Sequence, residues 1–140
     1  MKDPYKTGMF KENPYYKKKP ILGELVVVLE GKYEERGLKL INQPSRCVKA
    51  NEVHELIITD EESKPGDNVN KIAYLGFLEV KNSGVILTGD EVSINEQKIG
   101  NISGFDETHL PNHYNIVIYS KERISGKNLG LEIGDIVKIG

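Results

Sequence analysis

Gly89-Asp90-Glu91-Val92-Ser93-Ile94 and Gly134-Asp135-Ile136-Val137-Lys138-Ile139 share one pattern, Gly-Asp-x-Val-x-Ile. Glycine permits a positive φ at a turn, and aspartate can hydrogen-bond the backbone just ahead of it. Valine and isoleucine two residues apart then point to one face of a strand. Each hexapeptide therefore reads as a turn feeding a short strand with one buried side. Gly66-Asp67-Asn68-Val69 is a looser third copy.

The same grammar of short apolar runs between turn residues extends in both directions. Upstream lie Leu22 to Glu30, Gly37 to Ile41, Arg46 to Ala50, Val53 to Thr59 and Ile72 to Val80. Around and after the first hexapeptide come Val85 to Thr88, Glu91 to Ile94, Gln97 to Ile102, His113 to Ser120 and Asp135 to Ile139. Asp60 to Asn70 is polar and reads as a loop or one short helical turn. Gly76, inside an apolar run, marks a bend, a bulge or a close backbone approach. No segment holds a 3.6-residue apolar period, so helix content is expected to be low. The expectation is an all-β fold, a single small β-barrel of about ten short strands.

The chain has 140 residues, the size of one domain with a single core. Its formal net charge of −2 is unevenly spread. Residues 1–20 carry six lysines and two acids, and the remainder carries 13 basic against 19 acidic groups. This divides the chain into an extended basic arm, residues 1–20, and a barrel domain, residues 21–140. Tyr5, Phe10, Tyr15 and Tyr16 sit among the arm's lysines. Basic residues interleaved with aromatics can bind single-stranded nucleic acid. The body lacks a basic face, so nucleic acid is not expected. The arm is expected instead to dock on a second copy of the chain, giving a homo-oligomer. Lys17-Lys18-Lys19 before an apolar run superficially looks like a signal peptide, but Glu24 and Glu30 interrupt the run and no small-residue cleavage site follows. No run reaches the length of a membrane span. With one cysteine, Cys47, no internal disulfide forms, and a cytoplasmic location is expected.

The run from Glu55 to Ile139 resembles the IIA component of the glucitol/sorbitol phosphotransferase system. The likeness rests on Leu56-Ile57-Ile58-Thr59, the Lys64-Pro65-Gly66-Asp67 loop and Ile72-Ala73-Tyr74-Leu75-Gly76-Phe77-Leu78. It continues through Gly89-Asp90, Ile99-Gly100-Asn101-Ile102, His113-Tyr114-Asn115-Ile116-Val117-Ile118 and Ile133-Gly134-Asp135-Ile136-Val137. The resemblance implies a small β-barrel. It does not carry over the phosphocarrier role. Where that family places its histidines, before Gly76-Phe77-Leu78, this chain has Ala73, Tyr74 and Leu75.

Chemistry is concentrated in Asp106-Glu107-Thr108-His109-Leu110-Pro111-Asn112-His113-Tyr114, which holds two of the three histidines and two carboxylates. Imidazole and carboxylate are ligands for divalent transition metals. On a helix the spacing of His109 and His113 would put both rings on one face. Pro111 lies between them and makes a continuous helix untenable. The segment therefore reads as a loop entering a strand, where the spacing loses its meaning. Asp106 and Glu107, adjacent in an extended segment, point opposite ways and make a poor acid/base pair. Cys47 is expected to be a buried, inert thiol, and His54 a surface or edge residue. No phosphate-cradling or dinucleotide motif is present.

Two functions follow. The first is a non-enzymatic module, without cofactor, binding a small molecule or a protein partner through Asp106, Glu107, His109, His113 and Tyr114. The alternative is a metal-dependent enzyme in which His109, His113 and one carboxylate hold a divalent transition metal.

Overall fold

A computed structural model describes residues 18–140. Twelve strands run in chain order: β1 Ile21–Val28, β2 Lys32–Tyr33, β3 Leu38–Lys39, β4 Ser45–Val48, β5 Val53–Thr59 and β6 Asn68–Val69. They continue as β7 Ile72–Val80, β8 Gly84–Leu87, β9 Glu91–Ile94, β10 Gln97–Asp106, β11 Asn115–Tyr119 and β12 Ile136–Ile139. The described residues contain no helix, and the Asp60 to Asn70 stretch contributes a two-residue strand, β6, rather than a helical turn.

Seven of the strands close on themselves. The order β1-β12-β9-β10-β11-β5-β7 returns to β1, because β1 pairs with both β12 and β7. Closure removes the free edges that an open sheet would expose. The expected all-β barrel is therefore present, with β2 added beside β7 and two small ribbons, β3-β6 and β4-β8, outside the ring.

The Gly-Asp copies are one device used three times. Gly66, Gly89 and Gly134 take φ of 92°, 89° and 94°. The amide of each following aspartate donates to the carbonyl three residues back: Asp67 to Lys64, Asp90 to Leu87 and Asp135 to Glu132, at 3.0–3.1 Å. Each carboxylate in turn accepts from the amide of that same residue, at 3.0, 2.9 and 2.8 Å. A positive φ at the third position of a four-residue turn is what glycine supplies. Gly76 marks a close approach, since a Cβ there would collide with the Val27 carbonyl oxygen across the β1-β7 pair.

Two apolar layers hold the fold. The barrel interior is filled by residues including Leu25, Leu56, Ile58, Leu75, Leu78, Phe105, Ile116, Ile118 and Val137. A second cluster, Leu38, Leu40, Ile57, Val69, Ile72 and Val117, lies on the other face of β5 and β11, beneath the β3-β6 ribbon. This explains the unbroken runs Leu56-Ile57-Ile58 and Ile116-Val117-Ile118. β5 and β11 pair in parallel and are covered on both faces, the setting in which strands lose their polar side.

Two expectations are corrected by the packing. His54 is 5% exposed and Glu55 6%, so neither is a surface residue. Cys47, in contrast, is exposed on β4 rather than buried, because alternation along β4 turns its neighbour Val48 into the core and Cys47 away from it. Lys18 pairs with Asp90 at 2.8 Å. The aromatic residues of the basic arm, and the oligomer contact expected of them, lie outside the described residues.

A candidate metal centre beside the barrel wall

Successive residues of a strand point to opposite faces, and β5 uses this to separate His54 from Glu55. His54 takes the Leu56 side, facing the barrel interior. Glu55 takes the Ile57 side, toward the outer ribbon. The loop from Glu107 to Tyr114 folds back on β5, with the Glu55 amide donating to the Tyr114 carbonyl at 3.2 Å. His113 and Tyr114 are thereby divided between the same two faces.

On the interior side, the His54 and Tyr114 rings stack with centroids 3.6 Å apart. The Arg46 guanidinium lies 4.2 Å from the Tyr114 centroid. The Tyr114 amide donates to His54 Nδ1 at 3.3 Å, and His54 Nε2 meets Glu52 at 3.2 Å. Burial lowers the His54 pKa below its ordinary value, against the opposing pull of Glu52. Burial likewise raises the Tyr114 phenol, keeping it neutral. Arg46 also pairs with Glu107. Tyr114 is thus packed between His54 and Arg46, with its buried hydroxyl lacking a hydrogen-bond partner among the described residues, and Glu107 is engaged by Arg46.

Asp106 anchors the loop. Its carboxylate accepts from the Lys39 amide at 3.0 Å and the Thr108 amide at 3.0 Å. It also accepts from the Thr108 hydroxyl at 2.9 Å and from Asn115 Nδ2 at 3.1 Å. A carboxylate offers about four lone-pair sites, so these donors occupy it. Asp106 is 1% exposed and holds the loop to β3 and β11 rather than facing a ligand.

The other face collects what remains. Around Pro111 the chain makes a tight turn in which the Leu110-Pro111 bond is cis. The His113 amide reaches back to the His109 carbonyl at 3.4 Å, and the Asn112 amide donates to it at 2.9 Å. The helical geometry that Pro111 forbids is replaced by a single compact turn, and the imidazoles meet with centroids 5.0 Å apart. Glu55 completes the group. One ligand atom from each of Glu55, His109 and His113 lies within 4.8 Å of the others. The His113 Nε2 to Glu55 Oε1 distance is 3.4 Å.

Residues 15–140 match the family of unknown function DUF6917. The chain belongs to that family. No curated protein and no solved structure matches this DUF6917 chain, so the resemblance to the glucitol-specific IIA component gains no support beyond the β-barrel itself.

The electrostatics of this DUF6917 site are unbalanced. Burial raises the Glu55 carboxyl above its ordinary pKa, partly offset by the nearby His109 ring and Arg36 guanidinium and reinforced by Asp106. Burial lowers His113, so its ring is neutral at neutral pH. His113 Nε2 is buried and has no hydrogen-bond partner among the described residues. The Phe77 ring stands edge-on to it at 5.1 Å and supplies no polar atom. His109 is exposed, and its Nε2 lies 3.0 Å from Arg36 Nη2.

The cluster reaches the surface through the exposed His109 and the half-buried His113. Two cavities of about 470 Å³ lie elsewhere, one lined by residues including Tyr119, Ile124, Leu129 and Leu131, the other by residues including Leu22, Asn95 and Ile136. Among the described residues no helix is long and apolar enough to cross a membrane.

Of the five residues expected to bind a ligand, His109 and His113 come together, while Asp106, Glu107 and Tyr114 are engaged by other groups. The third member, Glu55, was not singled out from the sequence. Its only signal is a carboxylate beside His54 in an apolar strand, and that signal acquires meaning once β11 is known to pair with β5.

Proposed function

We propose that this protein is a β-barrel binding module whose ligand is a divalent transition-metal ion held by Glu55, His109 and His113. The observation that carries the reading is the buried, unpartnered Nε2 of His113 at 3.4 Å from a buried Glu55 carboxylate. A desolvated carboxylate and an orphaned imidazole nitrogen each cost stability unless something satisfies both. A divalent cation does so, and one carboxylate with two imidazoles is a ligand set suited to zinc, iron, nickel or copper. Tetrahedral bonds near 2.05 Å place ligand atoms about 3.4 Å apart. The Glu55 to His113 separation already meets this, and a modest swing of the exposed His109 closes the rest.

The convergence of one ligand atom from each of three residues within 4.8 Å favours an ion over an organic molecule. An ion needs only converging lone pairs, whereas a small organic ligand is held by a concave, mostly apolar pocket. Three protein ligands leave coordination positions open, as in catalytic rather than structural zinc sites. That feature favours a second reading, a metal-dependent enzyme acting at the same ion. The barrel alone selects neither, since folds host many functions.

The test is isothermal titration of tag-free, chelator-stripped protein with zinc, cobalt(II) and nickel. One ion per chain is expected, with binding lost in Glu55→Ala and in His113→Ala. Undiminished binding in both variants would overturn the assignment.

A further inference from the structure

Arg36 stands at the edge of this cluster, between β2 and β3. Its own amide donates to the Asn70 carbonyl at 3.0 Å, and the Gly37 amide donates to Asn70 Oδ1 at 3.1 Å, so the backbone here is fixed. The described side-chain partner of its guanidinium is the His109 ring, at 3.0 Å. Arginine can only donate. His109 Nε2 therefore accepts through its lone pair, and the proton of the neutral ring sits on Nδ1.

That contact cannot survive metal binding. If the ion takes Nε2, it takes the lone pair that Arg36 uses. If it takes Nδ1, the ring proton moves to Nε2 and an N–H then faces the guanidinium. Either way Arg36 loses its acceptor while a second positive centre arrives within a few ångströms. Formal charges give the size of the imbalance. Glu55 and Asp106 supply two negative charges, Arg36 one positive and the ion two positive, with the imidazoles neutral and Arg46 cancelled by Glu107. One positive charge is left over, beside open coordination positions and an unpaired guanidinium.

We propose that the loaded site takes a small carboxylate as co-ligand, with one oxygen on the metal ion and the carboxylate hydrogen-bonded to Arg36. A monoanion closes the charge balance, and the guanidinium fork matches a carboxylate in two-point contact. Arg36 acts on the co-ligand, not on the ion. The inference rests on the metal-binding reading above, and the two are separable by experiment.

Cobalt(II) serves as a visible-absorbing probe. Wild-type protein loaded with one equivalent is titrated with acetate and, separately, with methylphosphonate dianion, following the visible band. A saturable change with acetate is expected. In Arg36→Met, cobalt affinity is retained or increased, because a nearby cation is gone, while acetate affinity falls at least tenfold. Arg36→Lys, which keeps the charge but not the fork, retains part of it and guards against a folding defect in the methionine variant. Equal acetate affinity in wild type and Arg36→Met would overturn the proposal while leaving the metal site standing. Methylphosphonate binding in place of acetate would refute the charge balance. Failure of the wild type to bind cobalt at all would remove the metal reading, and this inference with it.

Discussion

Replacing Glu55 with glutamine is predicted to raise the stability of the metal-free protein and lower that of the metal-loaded one. The carboxylate is 6% exposed and raised above its ordinary pKa chiefly by burial. Its nearest potential cation, His113, is itself held neutral by burial. The nearby His109 ring and Arg36 guanidinium offset its desolvation only in part. Glutamine removes the charge, and its amide can donate to the orphaned His113 Nε2. A gained hydrogen bond and a relieved buried charge are together worth about 1–2 kcal/mol. At about 3 °C per kcal/mol for a domain of this size, Tm rises by about 3–6 °C. Metal reverses the order. At a free concentration 100 times Kd, binding stabilises the wild type by about 2.7 kcal/mol. Loss of a ligand that weakens affinity about 100-fold leaves the variant only about 0.4 kcal/mol at the same concentration. Thermal melts of both proteins at pH 8, with chelator and with zinc, should therefore cross. If Glu55→Gln is less stable without metal by 1 kcal/mol or more, Glu55 is a structural ion-pair partner of a charged His113 and the reasoning fails. Equal zinc-induced shifts in the two proteins would refute it as well.

Three further outcomes follow from named contacts. Asp106→Ala strands four donors, among them a buried Asn115 amide, and should cost about 2–4 kcal/mol in urea denaturation while weakening metal binding by freeing the loop. Gly76→Ala drives a Cβ into the Val27 carbonyl and should destabilise by about 3 kcal/mol or more, read from the same denaturation midpoints, whereas Gly31→Ala meets no collision and should cost less, about 1–2 kcal/mol, through its positive φ of 109° alone. Metal affinity should fall on acidification, because protons compete for both imidazoles and for Glu55. Burial lowers His113 and raises Glu55, so the imidazole takes its proton at lower pH and the carboxylate at higher pH than in water, and affinity measured by titration at several pH values should decline progressively as the pH falls.

The fold was legible where local chemistry decides it. The Gly-Asp turns, the apolar alternation of β12 and the glycine in β7 are dictated by φ, by the two-residue strand period and by contact at short range. The two-residue strand β2 was hidden, because a pair that short is made by its partner rather than by its own pattern, whereas β3 lies inside the Gly37 to Ile41 run and β6 inside the looser third Gly-Asp copy. The site was half legible for the same reason. His109 and His113 lie on one loop, and their spacing drew notice, but Pro111 argued against a helix and said nothing of the compact turn that brings the rings together. Glu55 is 54 positions from His109. Its placement depends on parallel pairing of β5 with β11 and on which face of β5 the ribbon covers, neither of which alternation alone records. His54 was misjudged for that reason too. A strand that reads as polar at its start can be buried on both sides once a loop folds over it.

The most direct test of the metal assignment is anomalous diffraction from crystals of the tag-free protein grown with cobalt(II) or zinc. One strong peak per chain is expected, about 2.0–2.2 Å from a Glu55 oxygen and from one ring nitrogen each of His109 and His113. A fully folded barrel with no peak at these three residues, or a peak elsewhere with this cluster empty, would contradict it.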